Sequence, residues 1–410
     1  MTIPNEFTPE SIAKVSDSTA FLPYQEFLRS RQPVDSILAS NPWMKKPNGS
    51  DDVIWGTNQY YETTVGRKHH YWKQFDLPTP TKDMNRLRHD LFEWGYCLIE
   101  DGLSRDQYTN TRIRLVEQAE SERKLGIDYT SESFQLICSL INKGDLFPQF
   151  LEHHPDAVQA GPMIEQLLDE TLRKGWCVFS FTANISYPGC LPMQLHQDQG
   201  AINPFQTPEA PIDVTTMYIL EDVDERNGTL LVPTSHRLIP EVGSGKPVGE
   251  LPPTIHVEAP AGTVLMFDGR LLHGTSINRG DDWRYVMVQP SVKPWIRSQE
   301  NFFLSTKPEV LDKASPKLLQ RLGFQATGGL GHSEGFGNRG SGRAGDPAGC
   351  LAPVRSMLAT NTYTHVGELR PDELSDITSD QFTIQKLQRK FEGRSSLDFE
   401  DQLYWSPKPS

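Results

Sequence analysis

The sequence predicts a mainly β protein, an all-β barrel or jelly roll, with helices flanking the strands. From about residue 176 to residue 292, short β-rich runs alternate with turns rich in Gly, Pro, Asn and Asp. Several short strands at this spacing are typical of antiparallel barrels and jelly rolls. The chain before residue 176 shows helical spacing instead. The predicted strands lie within residues 176–187, 215–220, 229–232, 262–267 and 283–288.

Helices are predicted on the N-terminal side of these strands. Asp83 is a favourable N-cap for a helix whose apolar residues recur at helical spacing up to Trp94. Residues 96–99 then form a short predicted strand, and Ser104 is a favourable N-cap for a second helix. The pattern is helical again over residues 145–174, where prolines interrupt it.

Composition divides the chain into three segments. Residues 1–80 have little periodicity but many aromatic residues, which usually pack against something, so we expect an N-terminal arm packed on the core. Residues 81–325 carry the predicted helices and barrel strands. Residues 326–410 form a C-terminal extension with one predicted helix, 379–391. The extension begins with a glycine-rich stretch, 328–349, whose nine glycines predict a mobile loop.

Composition and charge also exclude several classes of protein. The chain has 410 residues, 37% of them hydrophobic, so it can bury a sizeable core and is not a disordered chain. Its net charge of −13 disfavours nucleic-acid or anionic-membrane partners, since both attract clustered Lys and Arg. No apolar run approaches a membrane span, and the first residues lack the apolar stretch of a signal peptide. Five cysteines without CxxC spacing favour reduced thiols.

These observations predict a cytoplasmic protein with no nucleic-acid and no membrane partner. The sequence leaves a homodimer open.

A candidate metal site stands out in residues 193–198, which alternate between apolar and polar side chains. On a strand this alternation places Gln194, His196 and Asp198 on one face. His273, which follows a later predicted strand, is the candidate for a third ligand. Two neutral imidazoles and one carboxylate form the facial triad of non-haem Fe(II) oxygenases, which leaves three metal positions open. The sequence therefore predicts an iron site at these residues.

Arg284 adds a second observation, because it lies eleven residues after His273 on the next predicted strand. A guanidinium can bind a carboxylate through two parallel hydrogen bonds. At this place it could hold the distal carboxylate of 2-oxoglutarate, whose other end chelates the metal and leaves one position for O2. A His-x-Asp pair alone arises by chance in many chains. Together with a later His-Gly pair and an Arg at this spacing, it is a specific signal.

Further motifs surround these residues. They are Pro188-Gly189, Leu195-His196-Gln197-Asp198-Gln199, the run from Glu225-Arg226-Asn227-Gly228 to Ser235-His236-Arg237, Ala261-Gly262-Thr263, Phe267-Asp268, His273-Gly274-Thr275 and Asn278. In this combination the chain resembles the phytanoyl-CoA dioxygenase family of Fe(II)/2-oxoglutarate oxygenases over about residues 83–325. The resemblance implies a double-stranded β-helix, which is a cupin-like jelly roll wrapped by helices.

The resemblance also implies cofactors and site residues. Iron would be bound by His196, Asp198 and His273, and 2-oxoglutarate, the cosubstrate used with O2, by Arg284. Thr275 matches a hydroxyl position that contacts this cosubstrate in similar proteins. Gln194 lies where related enzymes place a Gln on the same cosubstrate.

The resemblance implies oxidation of an unactivated C–H bond, by hydroxylation, desaturation or a related outcome. Halogenation is disfavoured, because halogenases of this family replace the carboxylate that Asp198 retains. We expect a small, hydrophobic metabolite of a biosynthetic pathway as substrate. An acyl-CoA of lipid catabolism is an alternative that the acidic charge disfavours. A non-catalytic cupin-like binding protein would have lost a ligand, and a cupin metalloenzyme acting without 2-oxoglutarate would not need Arg284.

The remaining histidine pairs are predicted to be solvated rather than metal-bound. His69 and His70, like His153 and His154, are adjacent in sequence, and adjacent side chains point in different directions on a helix or strand. His236 lies in a predicted turn and is expected to be structural.

Overall fold

A computed structural model describes residues 72–131, 133–190, 192–193, 195–202, 211–238 and 254–324. Most of the predicted N-terminal arm, the glycine-rich stretch 328–349, the helix 379–391 and the side chain of Gln194 lie outside the described residues. No helix in the described ranges is both long and apolar enough to cross a bilayer.

The secondary structure alternates short strands with helices and turns. The strands are β1 Tyr96–Ile99, β2 Tyr129–Thr130, β3 Gln135–Ile137, β4 Cys177–Val178, β5 Thr182–Ser186, β6 Asp213–Ile219, β7 Leu230–Leu231, β8 Ile255–His256, β9 Val264–Asp268, β10 His273–Gly274 and β11 Arg284–Val292. The helices are α1 Met84–Glu93, α2 Arg105–Leu125, α3 Leu146–Leu151, α4 Gly161–Leu172, α5 Ser235–Leu238, α6 Phe302–Ser305, α7 Pro308–Lys313 and α8 Pro316–Arg321. Short 3₁₀ turns lie at Trp72–Gln74, Leu140–Asn142 and Asp198–Ala201.

The strands form two antiparallel sheets. The larger sheet has the order β1-β9-β6-β11-β5-β3-β2, and β4 pairs with the end of β11. The smaller sheet has the order β10-β7-β8. Leu231 and Ile255 of the smaller sheet pack in one apolar cluster with Leu265 and Phe267 of the larger. The two sheets therefore face each other, and the fold is the predicted double-stranded β-helix.

Both faces of the larger sheet are covered. In β1, Tyr96 and Leu98 point to the smaller sheet, whereas Cys97 and Ile99 point to the helices. This division follows from the two-residue period of a strand. Helices α1 to α4 cover the outer face with apolar side chains, so β1 buries all four of its residues. The layers are helices, larger sheet and smaller sheet, in that order.

Local capping signals were predicted correctly at the first helices. The Asp83 side chain accepts a hydrogen bond from the backbone N–H of Asn85 and begins α1. After α1, the chain reverses at Gly95, whose φ of +83° is a conformation that glycine adopts without strain. Ser104 begins α2 through a reciprocal capping box with Gln107.

Two expectations about local structure were wrong. The segment 193–198 was predicted as a strand, but among its described residues only His196 forms a β-bridge, and Asp198 already begins a 3₁₀ turn. His153 is not solvated, although its neighbour His154 is half exposed. The His153 ring is buried and its Nδ1 lies 2.9 Å from Oε1 of Glu165 on α4. The position of the His153 side chain therefore depends on Glu165, which lies twelve residues further along the chain.

Glu165 is the centre of a buried charge network between α4 and α8. Its Oε2 accepts a hydrogen bond from Arg321 at 2.5 Å, and its Oε1 lies 3.0 Å from Nζ of Lys317. Both cations and His153 are largely buried. Removing the anion of a buried pair leaves its cations uncompensated, which is far more costly than the pair itself is stabilising.

We therefore expect Glu165→Gln to lower the free energy of unfolding by about 3 kcal/mol. Urea denaturation measures this change. Glu170→Gln is the matched control, because Glu170 lies on the same helix and pairs with Arg88 where both side chains are exposed. The control should cost less than about 1 kcal/mol. Equal losses in the two variants would contradict a dominant role for the buried network.

Candidate metal centre

His196, Asp198 and His273 lie together between the two sheets. Their potential ligand atoms are all within 4.8 Å of one another. Oδ1 of Asp198 is 3.4 Å from Nε2 of His196 and 3.5 Å from Nε2 of His273. Two imidazole nitrogens and one carboxylate oxygen thus converge on one point. The structure brings together all three side chains that the sequence singled out as ligands.

Backbone pairing holds the two histidines side by side. β10 runs antiparallel to β7, with His273 opposite Leu231. At the other edge of β10, the amides of His273 and His196 donate to each other's carbonyl oxygens at 3.0 and 2.9 Å. The centroids of the two imidazole rings are 4.3 Å apart. The segment containing His196 therefore extends the smaller sheet by one residue pair, which is enough to aim both rings at the same point.

The second nitrogen of His273 fixes the orientation of its ring. Nδ1 lies 3.1 Å from the carbonyl oxygen of Leu271, which can only accept a hydrogen bond. Nδ1 therefore carries the proton and the lone pair of Nε2 faces Asp198. Ligating histidines are commonly oriented by a partner of this kind.

Electrostatics favour a neutral imidazole beside an ionised carboxylate. Burial lowers the pKa of His273 to about 4, against the opposing effect of Asp198, so this ring is neutral at pH 7. Burial opposes ionisation of Asp198, but His273 and His196, together with the hydroxyl of Thr215, hold the pKa of Asp198 below its usual range. Metal ligation requires these protonation states.

Arg284 is buried at the start of β11. Its Nη1 donates to the carbonyl oxygen of Asn227 at 3.0 Å and its Nη2 to Oγ of Ser186 at 2.8 Å. Within the described chain, Nε has no hydrogen-bond partner and the guanidinium forms no ion pair. Glu221 is the acidic residue that interacts with it, but burial raises the pKa of Glu221 to about 8. A buried cation without an ionised partner suits an anionic ligand.

Thr275 follows His273 on the same strand edge. The side chain is buried, and its hydroxyl oxygen is 4.0 Å from Sδ of Met193. The carbonyl oxygen of Thr275 accepts a hydrogen bond from the amide of Met193 at 2.8 Å. The structure does not describe Gln194, the other predicted cosubstrate contact.

Sequence reasoning missed three groups that support these residues. The hydroxyl of Thr215 donates to Oδ2 of Asp198 at 2.8 Å. Ser186 and Asn227 hold Arg284, and Ser186 lies directly opposite it in the pairing of β5 with β11. A strand pairing would have identified Ser186, but the sequence does not give the strand order.

A comparison with protein families decides the classification. The model of the phytanoyl-CoA dioxygenase (PhyH) family matches residues 92–286. Residues 92–286 form a PhyH domain. The match agrees with the predicted family, whose members are dioxygenases that use Fe(II), 2-oxoglutarate and O2. The three converging side chains and Arg284 all lie within it.

Individual relatives are more distant. Dioxygenase af480 of Aspergillus fumigatus is 30% identical over 160 residues, which cover 37% of this chain and 48% of that protein. The matched region thus spans about half the length of this curated relative. The α-ketoglutarate-dependent carbocyclase SnoK from nogalamycin biosynthesis is 19% identical, covering 56% of this chain and 94% of its own, with a TM-score of 0.43. The epimerase SnoN from the same biosynthesis is 19% identical, covering 52% and 83%, with a TM-score of 0.41.

Proposed function

We propose that this protein is an Fe(II)/2-oxoglutarate-dependent oxygenase that oxidises an unactivated C–H bond of a small, hydrophobic metabolite in a biosynthetic pathway. The observation that carries the proposal is the convergence of His196, Asp198 and His273 within a PhyH domain. The buried Arg284, with no ion pair in the described chain, supports it independently. A binding protein that had lost its chemistry would have no use for both features.

The residues present fit the iron and the cosubstrate. Nε2 of His196, Nε2 of His273 and one oxygen of Asp198 would hold Fe(II) on one face. Arg284 would hold the distal carboxylate of 2-oxoglutarate through two hydrogen bonds, with the hydroxyl of Thr275 as a further donor. The bound iron, with 2-oxoglutarate and O2, supplies the oxidation, and the cosubstrate leaves as succinate and CO2.

The surroundings of the site support an apolar substrate. The ring centroids of Phe267 and His273 are 4.5 Å apart. Met217 packs in the same apolar cluster as Phe267, on the face of the larger sheet that points to the smaller sheet. His273 and Arg284 are buried, which excludes water from the cosubstrate side. His196 keeps 34% of its side chain exposed, so an incoming molecule can reach the site at this ligand. We propose that residues 81–325 carry the activity, since they contain the whole PhyH match.

Cosubstrate turnover tests the proposal directly. The purified protein is incubated with Fe(II), 2-oxoglutarate and O2, alone and with panels of hydrophobic metabolites and of acyl-CoA thioesters. We expect succinate formation that needs all three components and rises with an accepted hydrophobic molecule. The product should gain one oxygen atom or lose two hydrogen atoms by mass spectrometry. Stimulation by acyl-CoA thioesters alone would move the substrate class to lipids, and absence of succinate in every incubation would contradict an oxygenase.

A further inference from the structure

The two oxygens of the Asp198 carboxylate have different surroundings. Oδ1 faces the two imidazoles, 3.4 Å from Nε2 of His196 and 3.5 Å from Nε2 of His273. Oδ2 points to the larger sheet and accepts a hydrogen bond from the hydroxyl of Thr215 at 2.8 Å. We infer that Thr215 is a positioning residue, whose hydroxyl holds Oδ2 and leaves only Oδ1 for the metal. This inference rests on the proposed function.

The position of Thr215 makes it a rigid donor. It lies in the middle of the larger sheet, opposite Phe267 of β9 on one side and Pro290 of β11 on the other. It is fully buried, and its β-branched side chain has few accessible rotamers. Met217 and Ile219, at two-residue spacing along β6, line the same interior face. The hydroxyl is therefore fixed by the sheet and not by the loop that carries Asp198.

A fixed carboxylate matters for the number of open metal positions. A carboxylate with two free oxygens can chelate a metal through both and occupy an additional position. A facial triad needs three open positions, two for the 2-oxo acid and one for O2. By holding Oδ2, Thr215 keeps Asp198 a single-atom ligand. The hydrogen bond also fixes the Asp198 side chain before the metal binds.

The chain provides a matched control in the next residue. Thr216 is equally buried on the same strand, but it points to the opposite face of the sheet, with Val214 and Tyr218. Its hydroxyl has no hydrogen-bond partner in the described chain. Thr216→Val therefore makes the same chemical change in the same strand without touching the carboxylate.

The experiment compares the parent chain with Thr215→Val, Thr215→Ser and Thr216→Val. Co(II), a redox-stable substitute for Fe(II), is titrated into each apoprotein without cosubstrate, and its dissociation constant is measured by calorimetry. The visible charge-transfer absorption of the anaerobic Fe(II)–2-oxoglutarate complex is recorded for the same four proteins. Circular dichroism and thermal unfolding check that each variant is folded.

We expect Thr215→Val to weaken Co(II) binding by about 10-fold or more, the usual effect of removing a partner of a ligand. Its charge-transfer absorption should shift or weaken. Thr215→Ser, which keeps the hydroxyl, should bind within about threefold of the parent, and Thr216→Val should equal the parent. Unchanged Co(II) binding in a folded Thr215→Val, or equal losses in the Val and Ser variants, would overturn the positioning role of Thr215 but not the metal site. Absence of Co(II) binding in the parent would overturn the metal site and this inference together.

Discussion

Replacing His273 by alanine is expected to abolish both iron binding and 2-oxoglutarate-dependent turnover. The variant would keep only His196 and Asp198 as ligands, and two ligands cannot form the three-ligand face that holds the metal. His196→Ala and Asp198→Ala should have the same result, because each supplies one of three converging atoms. Iron content after reconstitution and succinate formation are measured on the same preparations.

An exposed histidine provides the control for these variants. His154→Ala removes an imidazole that is half exposed and lies outside the candidate metal centre. It should leave iron content and succinate formation at the parental level. Near-parental iron binding and activity in a folded His196→Ala would contradict the assignment of the triad.

Local chemistry explains why much of the fold was predictable. The N-caps at Asp83 and Ser104 involve residues two and three positions away, so the sequence contains both partners of each hydrogen bond. The alternation of side-chain direction from Leu195 to Asp198 also depends only on local backbone geometry, because successive side chains of an extended chain point to opposite faces. It placed His196 and Asp198 on one face of the segment, and in the structure these two side chains are partly exposed while Leu195 and Gln197 are buried.

The remaining features depend on contacts between distant parts of the chain. The strand predicted before Asp198 is represented in the described residues by one bridge, between His196 and His273, and a sequence does not show which residues pair. Thr215 meets Asp198 across the gap between the sheets, seventeen residues away. The buried His153 ring contacts Glu165 of α4, and a His-His pair gives no local signal for such a contact. In each case, the sequence shows the residue type but does not show which distant residue it contacts in the fold.

Replacing Arg284 by lysine or alanine is expected to weaken 2-oxoglutarate binding in two steps. Lysine keeps the charge but loses the planar fork, and loss of one charge-assisted hydrogen bond should raise the dissociation constant by about 10-fold. Alanine would leave the cosubstrate carboxylate buried without a partner, which costs about 3–5 kcal/mol, or roughly 10²–10⁴-fold in affinity. The measurement is an anaerobic 2-oxoglutarate titration of the protein loaded with Fe(II).

Arg321→Lys is the control for this prediction, because Arg321 is equally buried but lies on α8 and pairs with Glu165 outside the barrel. Its cosubstrate affinity should equal that of the parent. A graded loss at position 284, with alanine worse than lysine and metal affinity unchanged, would separate a cosubstrate contact from a general effect on folding. Unchanged 2-oxoglutarate affinity in both Arg284 variants would make this guanidinium a structural residue held by Ser186 and Asn227, and the distal carboxylate would then need a different cation.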